Sequence, residues 1–139
     1  MNYKRFNNTI IAKIDKGEEI ITKVMEICEI ENVKLANINA LGAVDEIEIG
    51  LFDTKEKKYY SQKFSGDFEI VSLTGSITTK DGKLYNHIHI AVGDREYKVI
   101  GGHLSKAVVS ATCELFMHIV DGVVERNFND EVGLNLLKL

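Results

Sequence analysis

Between residues 16 and 31 the chain repeats apolar positions every three to four residues, with glutamate and lysine filling the positions between them. This spacing predicts an amphipathic helix from Lys16 to about Glu31, with one buried stripe. Asp15 precedes the segment and Glu18 follows three residues later, which is typical of an N-cap with its capping box. The pattern therefore predicts that the helix begins directly after Asp15.

On both sides of this helix the pattern changes to that of β-strands. Apolar residues alternate with polar ones or form short β-branched runs, and turn residues separate the runs. This is typical of extended, half-buried backbone. One strand is predicted before the helix, from Tyr3 to Ile14. The segments predicted as strands after it are 33–41, 47–51, 57–64, 68–78, 83–92, 97–104, 107–120 and 123–128.

One helix followed by about seven strands with short connections predicts an α+β fold. The short turns favour a largely antiparallel sheet, with the main amphipathic helix packed on one face. The chain has 139 residues with no proline and no repeat, and it fits one domain, 1–139. No apolar run approaches the ~20 residues that a membrane span needs. The N-terminal segment lacks the apolar core of a secretory signal, so we expect no membrane association and a cytoplasmic location.

Composition narrows the function classes. The chain has 17 basic and 21 acidic residues and a net charge of −4. Phosphate contacts need a concentrated basic surface, so this balance weighs against direct nucleic-acid binding. The densest basic cluster, at Lys55, Lys57 and Lys58, fits a solvated turn. Cys28 and Cys113 stand far apart, outside any CxxC motif, and we expect two reduced core cysteines.

The segment with the clearest chemical pattern reads NHIHI at Asn86–Ile90 and is followed by GGHL at Gly101–Leu104. Residues two apart on a strand share a face, so His87 and His89 point the same way. Ile88, Ile90 and Val92 then point the other way, into the core. The two glycines are typical of a bulge or a close approach to the backbone.

Whether His103 joins the other histidines depends on the turn between the two strands. A three-residue loop that pairs Gly93 with Tyr97 places His87 opposite His103, and His89 then faces Gly101. All three imidazoles would converge on one side of this hairpin. A two-residue loop would send His103 to the other face.

Three histidines without a fourth protein ligand suit a divalent transition metal, zinc above all, with one open position. Such a site permits hydrolytic or hydration chemistry through bound water. The same histidines also fit hydrogen-bonded residues at a sheet face or subunit interface, and spacing alone leaves both interpretations open. Phosphate-binding glycine loops and the GxSxG nucleophile motif are absent.

Two further polar features have more than one interpretation. Glu69 opens an otherwise apolar strand. It fits a carboxylate that accepts a hydrogen bond from a metal-binding histidine, and equally a structural or an exposed carboxylate; a structural role is favoured over a catalytic one. His118 and Glu114 share a strand face and fit surface or interface residues. Val108 and Phe116 make that face half apolar, which suits a subunit interface or a second core layer.

These motifs resemble successive blocks of the plant-and-prokaryote conserved (PPC) domain family, whose prokaryotic stand-alone members are often labelled DNA-binding. The match covers nearly the whole chain, and the order of HxH and GGHL is its most specific part. The blocks that carry the resemblance are Gly17–Glu19, Ala40–Val44, Glu69–Ile77, Asp81–Gly82, His87–His89, Gly101–Leu104 and the tail residues Arg126, Asp130, Gly133, Leu134 and Leu137. Leu84 stands where many relatives have proline.

The resemblance implies an α+β fold, a homotrimer and a metal at His87, His89 and His103. In the plant relatives the DNA contact belongs to a separate proline-containing AT-hook, and this chain has no proline. Three hypotheses follow: a trimeric metal-binding domain, with or without catalysis on a small-molecule ligand; a protein-interaction or assembly module with a regulatory, DNA-associated role; and direct DNA binding.

Overall fold

The computed structural model describes all 139 residues and consists mostly of β-strand. One sheet of eight strands contains every strand, and all pairings except one are antiparallel. The elements are β1 (Asn2–Phe6), β2 (Thr9–Asp15), α1 (Ile20–Ile30), β3 (Ala36–Asp53), β4 (Lys58–Lys80), β5 (Lys83–Gly93), β6 (Val99–Ile119), β7 (Glu125–Asn129) and β8 (Leu134–Lys138). The antiparallel sheet with a single helix is thus confirmed, and its strand count is eight rather than about seven.

The four longest strands close on one another. Strand β3 pairs with β4 and β6, and β5 also pairs with β4 and β6, so the four strands form a ring. On the far edge of β6 the β1–β2 hairpin extends the sheet. The β7–β8 hairpin joins β4 through one parallel pair, Thr79 with Glu125. The ring is therefore a closed scaffold, and the two hairpins lie at its margins.

The helix is shorter than predicted and begins later. It spans Ile20–Ile30, and its N-cap is Glu19, whose carboxylate accepts from the backbone N–H groups of Ile21 and Thr22. Asp15 is not the cap, because it continues β2 and pairs with Thr112. Glu18 nevertheless accepts from the Asp15 backbone N–H at 2.8 Å, so one bond of the predicted capping box exists outside the helix.

Several predicted strand breaks are bends within longer strands. Segments 33–41 and 47–51 belong to β3, 57–64 and 68–78 to β4, and 97–104 and 107–120 to β6. Register shifts mark the bends, between Ala40 and Gly42 and between Val44 and Glu46. A bulge kinks a strand without ending its pairing, so the local sequence signal resembles that of a turn.

Two hairpins were missed at the sequence level. The single strand predicted from Tyr3 to Ile14 is the β1–β2 hairpin, with Asn7 at φ 53° in its turn. Asparagine tolerates this left-handed conformation, and an Asn-Asn turn between apolar residues is the signal that could have revealed it. The second missed element is β8, which pairs with β7.

The core is formed by the buried side chains of the helix and by those on one face of the sheet. It contains 26 buried apolar residues, among them Ile88 and Ile90, as the strand alternation predicted. Cys28 and Cys113 are free and buried, which confirms the prediction of two core thiols. Burial raises the pKa of each thiol to about 12, so neither is a reactive thiolate.

No helix has the length and apolar character needed to cross a membrane.

Candidate metal centre

His87 and His89 lie on β5, and His103 lies on the neighbouring strand β6. Their neighbours Ile88 and Leu104 are buried in the core, so strand alternation directs the three imidazoles to the opposite, outer face. The structure thus brings together all three histidines that the sequence singled out.

The hairpin that joins them has a different register from the predicted one. Gly93 pairs with Val99 rather than Tyr97, so the loop has five residues, 94–98, and His89 lies opposite His103. His87 lies beyond the last β5–β6 pair. The shift amounts to two residues, and because side chains alternate with period two, it leaves all three imidazoles on the predicted face.

The longer loop is stabilised by Asp94. Its carboxylate accepts from the backbone N–H groups of Glu96 at 2.8 Å and Lys98 at 3.0 Å. Tyr97 takes a left-handed conformation, with φ 62°. Asp94 indicates a turn in the sequence. The left-handed residue of the loop is a tyrosine, however, and tyrosine is not a typical residue for that conformation, so the sequence does not indicate the length of the loop.

The imidazoles form a compact triangle. Ring centroids lie 5.0 Å apart for His87 and His89, 5.3 Å for His87 and His103, and 5.7 Å for His89 and His103. One nitrogen from each ring lies within 4.8 Å of the others. Zn–N bonds of about 2.0–2.1 Å require nitrogens roughly 3.4 Å apart, so modest ring rotations would close this triangle on one ion. The donor set fits a zinc-like ion with a position left open.

Electrostatics favours the protonation state that metals require. Burial lowers the pKa of His87, and the neighbouring His103 and His89 lower it further. Burial also lowers the pKa of His103, with His89 as the second cause. Both imidazoles are therefore neutral at neutral pH, which is the form that binds a metal.

Close backbone packing surrounds the cluster. A Cβ on Gly102 would lie 2.6 Å from the Gly50 carbonyl oxygen, so β6 and β3 approach each other here without side chains between them. The sequence predicted a close approach at this glycine, and the approaching group is the protein's own β3.

Tyr59 completes this wall, and sequence reasoning did not identify it. Its ring crosses Gly50, where a Cβ would lie 2.5 Å from the tyrosine hydroxyl. The ring packs edge-on against His103, with centroids 5.9 Å apart. Its hydroxyl lies 3.0 Å from Ser105 Oγ, and this hydrogen bond holds the tyrosine ring against His103.

The histidines open into a cavity of about 510 Å³ between β3, the β5–β6 hairpin and β8. Its wall is largely apolar, apart from the histidines, Arg126 and Asn135. The lining residues are Gly50, Leu51, Phe52, Tyr59, Tyr85, His87, His89, Gly102, His103, Arg126, Leu134, Asn135 and Leu136. The volume and the few convergent polar groups are typical of a small-molecule site.

The structure does not bring Glu69 to this site. Glu69 is exposed, lies opposite Gly93 and lines a separate cavity with Asp94 and Ser110. His118 is also remote from the cavity, with its Nδ1 at 3.3 Å from Thr9 Oγ1. The candidate centre therefore consists of three of the four histidines, without the predicted carboxylate.

Together, the mostly antiparallel sheet and the outward histidine triangle define a small β-rich protein with a candidate metal centre. Residues 1–121 match the model of the Plants and Prokaryotes Conserved (PCC) domain. The chain belongs to this family, which confirms the resemblance of its motifs. No curated protein matches the sequence.

Solved structures agree over almost the whole chain. A protein of Bacteroides thetaiotaomicron, provisionally described as DNA-binding, is 30% identical, with a TM-score of 0.96 over 99% of this chain and 96% of its own. A metal-containing protein of Archaeoglobus fulgidus is 30% identical, with a TM-score of 0.89 over 100% and 99% of the two chains. A PPC protein of Pyrococcus horikoshii is 29% identical, with a TM-score of 0.86 over 99% and 94%.

Proposed function

We propose that this chain is a metal-binding protein that holds one zinc-like divalent ion at His87, His89 and His103 and presents it to a small-molecule ligand. The observation that carries this proposal is the triangle of outward imidazoles, with one nitrogen of each within 4.8 Å of the others. The single domain expected over residues 1–139 is the unit that would bind the ion.

Two further observations support the proposal. The lowered pKa values of His87 and His103 keep these ligands neutral without a competing proton. The 30% identical relative from Archaeoglobus fulgidus is described as metal-containing. An ion held by three imidazoles with an open position would supply Lewis-acid chemistry or an activated water to a ligand in the cavity.

Elemental analysis of the untagged protein tests the proposal, with His103→Ala as the loss variant. The matched control is His118→Ala. This substitution also removes one imidazole from the chain, but His118 lies outside the cavity. We expect near-stoichiometric metal in the wild type and the control, and none in His103→Ala. Absence of metal in the wild type after reconstitution with excess zinc would contradict the proposal.

We also propose that the protein assembles as a homotrimer, as the family resemblance implies. Support comes from apolar side chains on the outer strand faces: Leu41, Val71 and Val99 are each more than half exposed. Such exposure is typical of surfaces that a partner covers. Native mass measurement on the wild type tests this assembly, and a monomer at micromolar concentration would contradict it.

The alternative function is an interaction module with a regulatory, DNA-associated role, favoured by the description of the Bacteroides relative. The net charge of −4 opposes direct duplex binding by this chain. We therefore expect no change in the fluorescence anisotropy of a labelled DNA duplex at low salt. Binding that weakens steeply with added salt would instead favour the DNA-associated role.

A further inference from the structure

Arg126 is the charged group that shares the cavity with the histidines. It lies on β7, the residue is only 6% exposed, and it is the one buried charged residue of the chain. The guanidinium group stacks on the Tyr85 ring, 5.0 Å from the ring centroid. Tyr85 lies two residues before His87 on β5, so stacking places the cation beside the histidine triangle.

The hydrogen-bond partners of Arg126 are all neutral. Its Nε donates to Thr78 Oγ1 at 2.8 Å, and one terminal nitrogen donates to the Asn135 backbone oxygen at 2.9 Å. The other terminal nitrogen donates to Ser76 Oγ at 3.4 Å. A guanidinium carries five N–H donors, so about two remain without a protein acceptor.

No carboxylate pairs with this buried cation. The adjacent Glu125 points away, accepting from Thr79 Oγ1 at 2.7 Å and from the Gly82 backbone N–H. Buried charges are normally paired, because an isolated charge in a low-dielectric site is costly. A divalent ion at the histidines would add further positive charge to the same cavity. The missing partner of Arg126 is therefore an anion that comes from outside the chain.

We propose that Arg126 binds the carboxylate of a small organic acid whose remaining groups extend towards the three histidines. The idea deepens the proposed function, because it names the ligand class of the same cavity. Two free N–H donors match the two oxygens of a carboxylate. Inorganic phosphate presents more oxygens than these two donors can satisfy, so a carboxylate is the better match for Arg126.

The rest of the cavity limits the size and character of the acid. A space of about 510 Å³ holds a small molecule, and Leu51, Phe52 and Leu134 provide apolar contact. Asn135 Oδ1 is the one buried polar side-chain atom without a hydrogen-bond partner. A hydroxyl or amino group on the acid would supply the donor that this oxygen lacks.

A purely structural role for Arg126 makes a different prediction. Its three hydrogen bonds link β7 to β4 and β8, and in a purely structural role the two remaining N–H groups would bind no particular anion. In that case small carboxylates would affect Arg126 no more than they affect an exposed arginine. The wild-type protein therefore suffices for the test, and a destabilised variant cannot obscure the result.

The experiment follows the Nε–H resonances of isotope-labelled, metal-free protein during titration with acetate, acetamide, propionate and inorganic phosphate. The chain has three arginines, and Arg5 and Arg95 are exposed internal controls. The Arg126→Lys variant assigns the buried resonance, because that resonance disappears. If Arg126→Lys does not fold, Arg5→Lys and Arg95→Lys assign the buried resonance by elimination. The same samples are then loaded with zinc, and the bound zinc is measured.

We expect acetate to shift the Arg126 resonance saturably while the two controls follow ionic strength alone. Acetamide should bind at least about tenfold more weakly, since it lacks the charge. Propionate should bind about fourfold more tightly, because one more methylene is buried. Saturation by phosphate but not acetate would overturn the carboxylate assignment.

Failure of this inference and failure of the metal proposal are distinguishable. Bound zinc without any saturable response of Arg126, in metal-free or zinc-loaded protein, would overturn the anion site and leave the metal site intact. A saturable response in protein that binds no zinc would support the anion site and overturn the metal site.

Discussion

The two hairpins that form the cavity are attached to the molecule in different ways. The β5–β6 hairpin is part of the closed ring, with β5 paired along 69–80 of β4 and along 99–103 of β6. The β7–β8 hairpin joins the ring by one β-bridge and by side-chain hydrogen bonds that Arg126 and Glu125 make to Ser76, Thr78, Thr79 and Gly82. The candidate metal ligands thus lie on a continuous main-chain ladder, whereas the candidate anion site depends on side chains at the margin.

Because of this difference, we expect the candidate metal ligands to be held more rigidly than the candidate anion site. Ligands on interior strands are held by the same hydrogen bonds that hold the fold, so their relative positions change little. A marginal hairpin can open at lower cost, since few backbone bonds cross its boundary. The family match ends at residue 121, before β7 begins. We expect the β5–β6 hairpin to set the chemistry and the β7–β8 hairpin to select the ligand.

The largest difference between the hairpins should appear on truncation of apolar side chains. Ile88 is fully buried between His87 and His89, and Ile88→Ala should lower the free energy of unfolding by about 2–5 kcal/mol. Leu136→Ala on β8, where the side chain is 38% exposed, should cost under about 1 kcal/mol. Urea denaturation of both variants measures the contrast, and equal losses would refute it.

Removal of Arg126 should loosen one hairpin and spare the other. Arg126→Met deletes the bonds to Thr78 and Asn135 while keeping an apolar stem of similar length. We expect a loss of about 1–3 kcal/mol, the usual cost of unsatisfied buried groups. Amide hydrogen exchange should accelerate in β7 and β8 but not in β5. Uniform acceleration across the ring would show that the two hairpins are not independent.

The pH dependence of the metal-free protein tests the histidine environment. The pKa values of His87 and His103 are lowered in the folded state, so the unfolded chain binds protons more readily. Stability should therefore fall as pH drops below about 6.5, the ordinary histidine value, and should stop changing from this source above it. Thermal unfolding between roughly pH 7.5 and 5 measures the slope.

A double His87→Gln and His103→Gln variant should lose that slope, while His118→Gln should keep it. Asp15, whose pKa is lowered to about 2, contributes a further loss of stability only at more acidic pH. An unchanged slope in the double variant would mean that other groups cause the dependence.

The smallest effect is expected at Tyr59. Tyr59→Phe removes the hydroxyl 3.0 Å from Ser105 but keeps the ring against His103. Because the hydroxyl is exposed, stability should change by less than about 1 kcal/mol. Zinc affinity, measured by competition with a chromophoric chelator, should fall only a few-fold as His103 becomes freer. A complete loss of zinc would mean that the hydroxyl has a direct role.

The candidate site was easier to predict than the strand boundaries, because a register error of two residues leaves a side chain on the same face of its strand. The predicted β5–β6 loop was two residues too short, yet an even error keeps His103 on the face of His87 and His89. Breaks predicted around Gly42 and after Leu104 failed because bends inside long strands use the same residues as turns. Arg126 and Tyr59 reach the cavity through long-range packing, and no local pattern encodes such contacts.

The most direct test of the three-histidine centre is a crystal structure of zinc-reconstituted protein with anomalous data collected at the zinc absorption edge. We predict one anomalous peak per chain, about 2.0–2.1 Å from an imidazole nitrogen of His87, His89 and His103. A map without a peak at this position, or with peaks only at surface carboxylates, would contradict the assignment.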